Sequence, residues 1–361
     1  MKRVSTALLA VAQLICLLCA CGGAQAPAPG SSQGAPASAD FVSKPENRSV
    51  GLCIGLTRYP LHQIVQLGFL EKAEELGYEG HVLGLEEGSM QEQYACWLQG
   101  AREYDIAGAV CWVGEDSGYE FLKELHGMGV KTVVPHFAHS YADTKDFIDV
   151  NVRHDIGVSA RQAAEFIGQT LRGRGVRTGS VGLTALGPGG ISALDLHAFI
   201  LHMQHNYPEY TILEVRFEHT DPAKNQTAVT EYICENPDMV ASFGTTGDSA
   251  QAWAAAKRAA GRDDIVAVGC DYTRSNLDLL EEGGVNALIA QPFYGGGARG
   301  MELIDALLCG KRYGASESLW RQSLDAPLVY PGGEGAHDPA YYRGLHARAQ
   351  ALFELEGGGE Q

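Results

Sequence analysis

Residues 265–291 read IVAVGCDYTRSNLDLLEEGGVNALIAQ. Ile265 to Val268 is a short apolar run closed by Gly269, the pattern of a strand covered on both faces of a parallel sheet. Leu277, Leu279 and Leu280, followed by Gly283-Gly284, predict one helix ended by glycine. Ala287 to Ala290 then predicts a second strand. Strand, helix and strand make one βαβ unit, and in sheets built from such units ligands sit beyond the carboxyl ends of the strands. Asp271 and Gln291 follow the two strands at that edge. One reading makes them a carboxylate and an amide side by side, offered to a polyhydroxylated molecule. The other makes Asp271 only the N-cap of the helix that follows. Both stay open on this stretch alone.

The same alternation runs outward in both directions. Before it, strands are expected at Val50–Leu56, His81–Leu85, Ile106–Val113, Lys131–Pro135 and Phe147–Val150. The helices between them fall near 61–76, 89–103, 116–127 and 154–172. The second half expects strands at Gly179–Thr184, Thr211–Phe217, Val240–Phe243, Ile265–Val268 and Ala287–Ala290, with helices near 190–205, 221–235, 248–260 and 274–282. Regular βα units imply parallel, doubly wound sheets. Five units, a break near 150–153 and five more units imply an α/β chain of two similar lobes.

A length of 361 residues allows two ordinary domains, and 45% hydrophobic with 20% charged residues is a globular composition. A net charge of −17 argues against nucleic acid and against adhesion to anionic lipid. Of nine cysteines, Cys16, Cys19 and Cys21 lie in the N-terminal apolar segment. No CxxC pair occurs among the body cysteines Cys53, Cys96, Cys111, Cys234, Cys270 and Cys309, so neither a metal cage nor a redox motif is expected. His197, His202 and His205, and the group His136, His139 and Asp143, lack HExxH spacing and read as surface histidines rather than ligands. Gly187-Pro188-Gly189-Gly190 lacks the GxGxxG spacing of a dinucleotide site. With no GxSxG, no P-loop and no nucleophile paired to a base, the chain reads as a non-enzyme without metal or cofactor.

The N-terminus has the layout of an export signal, Lys2-Arg3 followed by an apolar run from Val4 to Leu18. Leu18-Cys19-Ala20-Cys21 resembles the lipobox of bacterial lipoproteins, with Cys21 the residue to be lipidated. Residues 22–48, rich in Gly, Ala, Pro and Ser, read as a flexible tether. The expected division is a signal at 1–21, the tether at 22–48, one lobe from 49–152 plus 294–322, a second from 153–293 plus 323–338, and a helix and tail at 339–361. Three hinge crossings are expected near 151–153, 291–294 and 323–326.

Several separate segments carry a family resemblance. They are Thr57-Arg58-Tyr59-Pro60-Leu61-His62 with Gly68 and Glu74-Glu75-Leu76-Gly77-Tyr78, then Gly108-Ala109-Val110, Glu235-Asn236-Pro237-Asp238, Val268-Gly269-Cys270-Asp271 and Ala290-Gln291. In this order the chain, over about residues 49–332, resembles the type I periplasmic substrate-binding proteins of the simple-sugar branch, which serve ABC importers. The resemblance implies that Asp271 and Gln291 hydrogen-bond sugar hydroxyls and that Tyr59 and His62 lie in a contact loop. It puts Glu115 where an Asp is usual, with Trp112 beside it as a ring face for stacking. His136-Phe137 stands where Asp-Arg is common, Thr246 where Asn is frequent, and Asp195 where a guanidinium is usual. That last exchange inverts what the cleft offers a ligand.

The function implied is that of a monomeric, lipid-anchored extracytoplasmic protein delivering a sugar or related polyol to a membrane permease by hinge closure. A sugar-sensing subunit for a histidine kinase or chemoreceptor is the alternative.

Overall fold

The computed structural model describes residues 45–114, 118–188 and 190–357, and their side chains except at 190–194 and 355–357. The expected signal, the lipidated Cys21, most of the tether and Glu115 lie outside the described residues.

Alternation of buried apolar strands with half-buried helices gives the first lobe. It runs β1 (Ser49–Cys53), α1 (Pro60–Leu76), β2 (Glu79–Leu83), α2 (Met90–Glu103), β3 (Gly108–Cys111), α3 (Tyr119–Gly127), β4 (Lys131–His136), α4 (Tyr141–Thr144) and β5 (Val150–His154). Local signals fix the helix ends. Ser89 and Glu92 form a reciprocal capping box that starts α2, and Gly77, at φ 77°, closes α1.

The second lobe runs α5 (Ile156–Gly173), β6 (Gly179–Ala185), α6 (Gly190–Asn206), β7 (Tyr210–Ile212), β8 (Arg216–Phe217), α7 (Pro222–Glu235), β9 (Met239–Gly244), α8 (Ser249–Ala260), β10 (Val266–Cys270), α9 (Arg274–Glu281) and β11 (Ala287–Ile289). The chain then returns to the first lobe as α10 (Phe293–Leu308), α11 (Glu317–Trp320) and β12 (Arg321–Leu324). It ends in β13 (Leu328–Val329) and α12 (Pro339–Gly357).

The first sheet has the order β12-β5-β4-β3-β1-β2 and is parallel throughout. The second has the order β13-β11-β10-β9-β6-β7, with β8 also on β6. Its strands are parallel except β13, which runs antiparallel to β11. Two doubly wound lobes are therefore present. The chain crosses between them after β5, between β11 and α10, and between β12 and β13.

Four details differ from the sequence expectation. The strand expected at Phe147–Val150 starts at Val150, because the N–H groups of Phe147 and Ile148 close the α4 turn on Thr144. The strand expected over Thr211–Phe217 is two short ones, and β8 pairs with β6 two residues beyond the β7 ladder. The first lobe extends to His154 and Leu324 rather than 152 and 322. Helix α10 was not among the expected elements, and its Gly295-Gly296-Gly297 have poor intrinsic helicity. In the fold they let α1 and α10 touch backbone to backbone: a Cβ on Gly297 would lie 2.1 Å from the Val65 carbonyl oxygen.

One apolar cluster runs from α1 and α10 through Tyr272, Tyr342 and Leu345 into the face under α8 and α9. The lobes thus share a core behind the hinge, and their strand ends face each other in front of it.

Candidate functional site

Three non-glycine residues with left-handed backbone stand at carboxyl ends of strands: Leu56 after β1 (φ 50°), His136 ending β4 (φ 75°) and Asp271 after β10 (φ 67°). Such conformations persist only where the surroundings hold them, and they gather at ligand sites. The buried Asn151 amide pins the β4 turn, donating to the carbonyls of Val134 and Phe137. At the β10 turn the Asp271 N–H donates to Ile289 O, and the Asn276 amide donates to the carbonyls of Cys270 and Asp271. Gly247 leaves room for this carboxylate, since a Cβ there would lie 2.7 Å from Asp271 Oδ2.

Asp271 is buried, and the Gln291 amide donates to its Oδ1 at 2.7 Å. Adjacent parallel strands β10 and β11 deliver the two side chains to the same edge. Burial pushes the Asp271 carboxyl up to about 6; the Gln291 hydrogen bond pulls the other way and Asp248 adds to the rise. The capping alternative fails, because Thr273 is the N-cap of α9 and its hydroxyl accepts from the Asn276 N–H. Asp248 stands at the N-cap of α8 but makes no capping bond through its side chain. Instead the Thr246 and Ser249 hydroxyls both donate to the Glu218 carboxylate, Ser249 at 2.6 Å. Asp195, on α6, is 7% exposed, and burial raises its carboxyl to about 8.

The facing wall is aromatic. Tyr59 sits edge-on to His62 at 5.1 Å between ring centroids, and His62 is 6.3 Å from Trp112. Trp112 stacks on His136 at 4.7 Å and on Phe293 at 6.0 Å, and Phe137 stands edge-on to His136 at 4.7 Å. Trp112 itself is 8% exposed. Its close fit against α10 depends on Gly296, whose Cβ would lie 2.9 Å from the indole. The histidines of this wall are held neutral: burial, then neighbouring His154 and His62, takes His136 down to about 3, and burial lowers His62. The Tyr59 phenol is raised by burial and then by Asp271 and Asp248, carboxylates of the other lobe.

The structure therefore gathers Tyr59, His62, Trp112, His136 and Phe137 on one wall, and Thr246, Asp271 and Gln291 on the other. Asp195 lies beside the end of β10, close enough for its charge to act on Cys270. Glu218, Ser249 and Phe293 belong to the same surroundings and were not foreseen. Glu218 follows a strand that was expected, so its place at a carboxyl edge was the available signal. Of the expected surface histidines, His139 is buried instead, with one ring nitrogen 3.1 Å from the Val113 carbonyl oxygen. The His139 backbone N–H donates to the Asn151 Oδ1 at 3.2 Å, which ties this turn to β5. His202 pairs with Glu165 at 2.8 Å.

A sequence profile for the family described as "Periplasmic binding protein domain" matches residues 59–312. Among solved structures, a sugar ABC transporter (sugar-binding protein) from Bacillus halodurans superposes with a TM-score of 0.71 at 16% identity, over 82% of this chain and 100% of that one. A carbohydrate transporter solute binding protein from Agrobacterium radiobacter, solved with D-arabinose, gives 0.65 at 20% identity over 82% and 98%. The XylFII-LytSN complex gives 0.61 at 16% over 79% and 98%. At these identities the likeness is one of fold.

Proposed function

Because the chain belongs to the periplasmic binding protein family, we propose that it captures a sugar or related polyhydroxylated molecule outside the cytoplasm and delivers it to an ABC importer. The observation that carries this reading is the Asp271–Gln291 pair at the hinge edge of one lobe, opposite a wall of rings on the other. Carboxylate and amide oxygens accept from sugar hydroxyls, amide N–H groups donate to them, and ring faces take the apolar face of a pyranose. Contacts made from both walls at once favour the closed state and so drive hinge closure. Leu56 and Tyr59 on one rim, and Leu186 and Phe217 on the other, are large apolar side chains at least 42% exposed, and closure gives them cover.

Titration calorimetry against a panel of aldoses, ketoses and polyols is expected to find saturable one-to-one binding. Silence across the panel, with tight binding of a peptide or a metal ion, would refute the assignment. The family reading is binding rather than turnover, and the Ser249 and Thr246 hydroxyls on Glu218 are read as part of the polar wall.

The N-terminal segment supports a lipid anchor at Cys21, where two or more acyl chains give stable membrane attachment. Expressed in a bacterial host, the native chain is expected in the membrane fraction and Cys21→Ser in the soluble one; equal partition of the two would remove the anchor. XylFII, solved in complex with LytSN, favours a second reading, a sensing subunit docked on a receptor. Co-purification with a receptor ectodomain rather than a permease separates the two.

A further inference from the structure

We propose that Glu218 is a specificity-determining residue of this cleft, whose carboxylate, held by Thr246 and Ser249, takes two neighbouring hydroxyls of the ligand. This rests on the sugar-binding reading above and narrows its ligand to a vicinal diol at the corner where β8 and β9 end.

The place of Glu218 follows from the sheet. Strands β8 and β9 pair on either side of β6, with Phe217 opposite Ala185 and Gly244 opposite Thr184. Glu218 and Thr245 come next, and their N–H groups donate to Ala185 O at 2.8 Å and to Thr184 O at 3.2 Å. The Glu218 side chain then reaches over the carboxyl end of β6 to the turn after β9. It lies across the edge at which ligands of such sheets sit.

That turn joins Glu218 to the pair already described. Thr246 bonds to Glu218, and the next residue, Gly247, abuts the other carboxylate: a Cβ there would lie 2.7 Å from Asp271 Oδ2. The Asn276 amide holds both turns, donating to Gly247 O at 2.9 Å and to the carbonyls of Cys270 and Asp271. Gln291, Asp271, Thr246 and Glu218 therefore form one row along the strand ends of the second lobe.

The hydrogen bonds fix what this corner offers. The Thr246 N–H donates to Ser249 Oγ at 3.0 Å, and the Ser249 N–H to Thr246 Oγ1 at 3.2 Å. With backbone donors on their acceptor sides, both hydroxyls turn their protons to Glu218, one to each carboxylate oxygen. The two hydroxyl oxygens also lie 2.9 Å apart, but a proton placed between them would be taken from the carboxylate, the stronger acceptor. Ser249 is fully buried in room left by Gly244, whose Cβ would lie 2.2 Å from that of Ser249. It anchors the carboxylate from beneath, while Glu218 and Thr246 are half-buried and reach the surface. A carboxylate has about four acceptor sites, and the hydroxyls use one on each oxygen. The two that remain lie side by side and match the two O–H groups of a vicinal diol. Neighbouring cations do not take them: Arg216 is turned to Glu235 and the Tyr232 ring, and His219 lines a groove between α7 and α8.

A carboxylate that only tied β8 to β9 would affect every sugar alike, whereas one that reads a diol affects two positions of one sugar. The test is calorimetry with D-glucose, D-galactose, D-ribose and D-arabinose, then with the monodeoxy forms of each that binds. It is run on the native protein, Glu218→Gln and Glu218→Ala. In the native protein, removal of either of two adjacent hydroxyls is expected to weaken binding about tenfold or more, as for a hydrogen bond to a charged group. In Glu218→Ala both of these losses are expected to shrink to about twofold or less, with the losses at other positions unchanged, since independent contacts add. Glu218→Gln keeps the shape and one acceptor oxygen, so it removes the dependence at one of the two positions and serves if the alanine variant does not fold. Losses identical in native and variant proteins, or a uniform loss for all sugars with a lower melting temperature, reduce Glu218 to a loop tie and overturn the inference while the sugar reading stands. Dependence on a single hydroxyl in Glu218→Ala overturns the diol. Absence of binding by all four sugars and by the wider panel overturns both readings.

Discussion

Asp271→Asn is expected to weaken ligand binding by about ten- to hundredfold while making the protein more stable at pH 7. The loss of affinity follows from exchanging a charged acceptor of two oxygens for a neutral amide, since hydrogen bonds to charged groups are worth about 1.5–3 kcal/mol. The gain in stability follows from linkage. The folded carboxyl titrates near 6, above the 3.8 of an ordinary Asp. The unfolded chain therefore gives up its proton first. Stability falls as pH rises from about 4 to about 6 and stays lower above that. Two pKa units correspond to about 3 kcal/mol, of which the variant recovers a part. Asparagine also tolerates the φ of 67° at this position better than other non-glycine residues. Asp271→Ala loses the acceptors but pays the backbone strain, so it binds as poorly without the gain in stability. Calorimetry for affinity and thermal melts at pH 7 and pH 4 decide the matter. The stability difference between Asn and Asp is expected to close at pH 4. Unchanged affinity in both variants would show that this carboxylate does not face the ligand.

Much of this arrangement was legible in the chain because parallel sheets write themselves locally. The central strands are short apolar runs, helices such as α1 and α8 end at a glycine, and successive strands are often neighbours. The pairing of Asp271 with Gln291 came from that last property, β10 and β11 being consecutive and adjacent. What escaped depended on distant partners. Glu218 is held by Thr246 and Ser249 only because β8 and β9 lie on either side of β6, an order that sequence does not record. The left-handed backbone at Leu56 left no trace, since leucine does not favour it. Helix α10 escaped for the opposite reason: its glycines satisfy a packing demand from α1 that overrides their poor intrinsic helicity. Asp195 was visible as a departure from the family pattern, but its burial is a property of the folded surroundings.

Removing residues 339–361 is expected to destabilise the protein by about 5 kcal/mol or more, close to the whole stability of an ordinary domain. Helix α12 packs on α1 of the first lobe and α9 of the second. Two kinds of contact hold it there. Arg348 pairs with Glu71 on α1, and Arg343 with Asp278 and Glu281 on α9, but these side chains are one-third to over one-half exposed. Pairs of that kind contribute about 0–1 kcal/mol each. The other kind is burial: Tyr342, Leu345, His346 and Ala349 are each no more than 5% exposed. They cover Tyr272, whose ring lies 4.4 Å from that of Tyr342 and whose carbonyl is 2.8 Å from the His346 ring. Tyr272 follows Asp271 directly, so the helix supports the binding turn from behind. Fully burying Tyr342 and Leu345 accounts for about 3–6 kcal/mol, before the re-exposure of Tyr272 is counted. Packing therefore outweighs charge. Urea denaturation is expected to rank the truncation well below the double variant Arg343→Ala with Arg348→Ala, which should lose only about 1 kcal/mol. If the truncated chain fails to fold, Leu345→Ala reports on the same contact, with an expected loss of about 2–4 kcal/mol. A double arginine variant as unstable as the truncation would mean that the helix is held by its ion pairs, and that the two lobes are tied together by salt-sensitive contacts instead of a shared core.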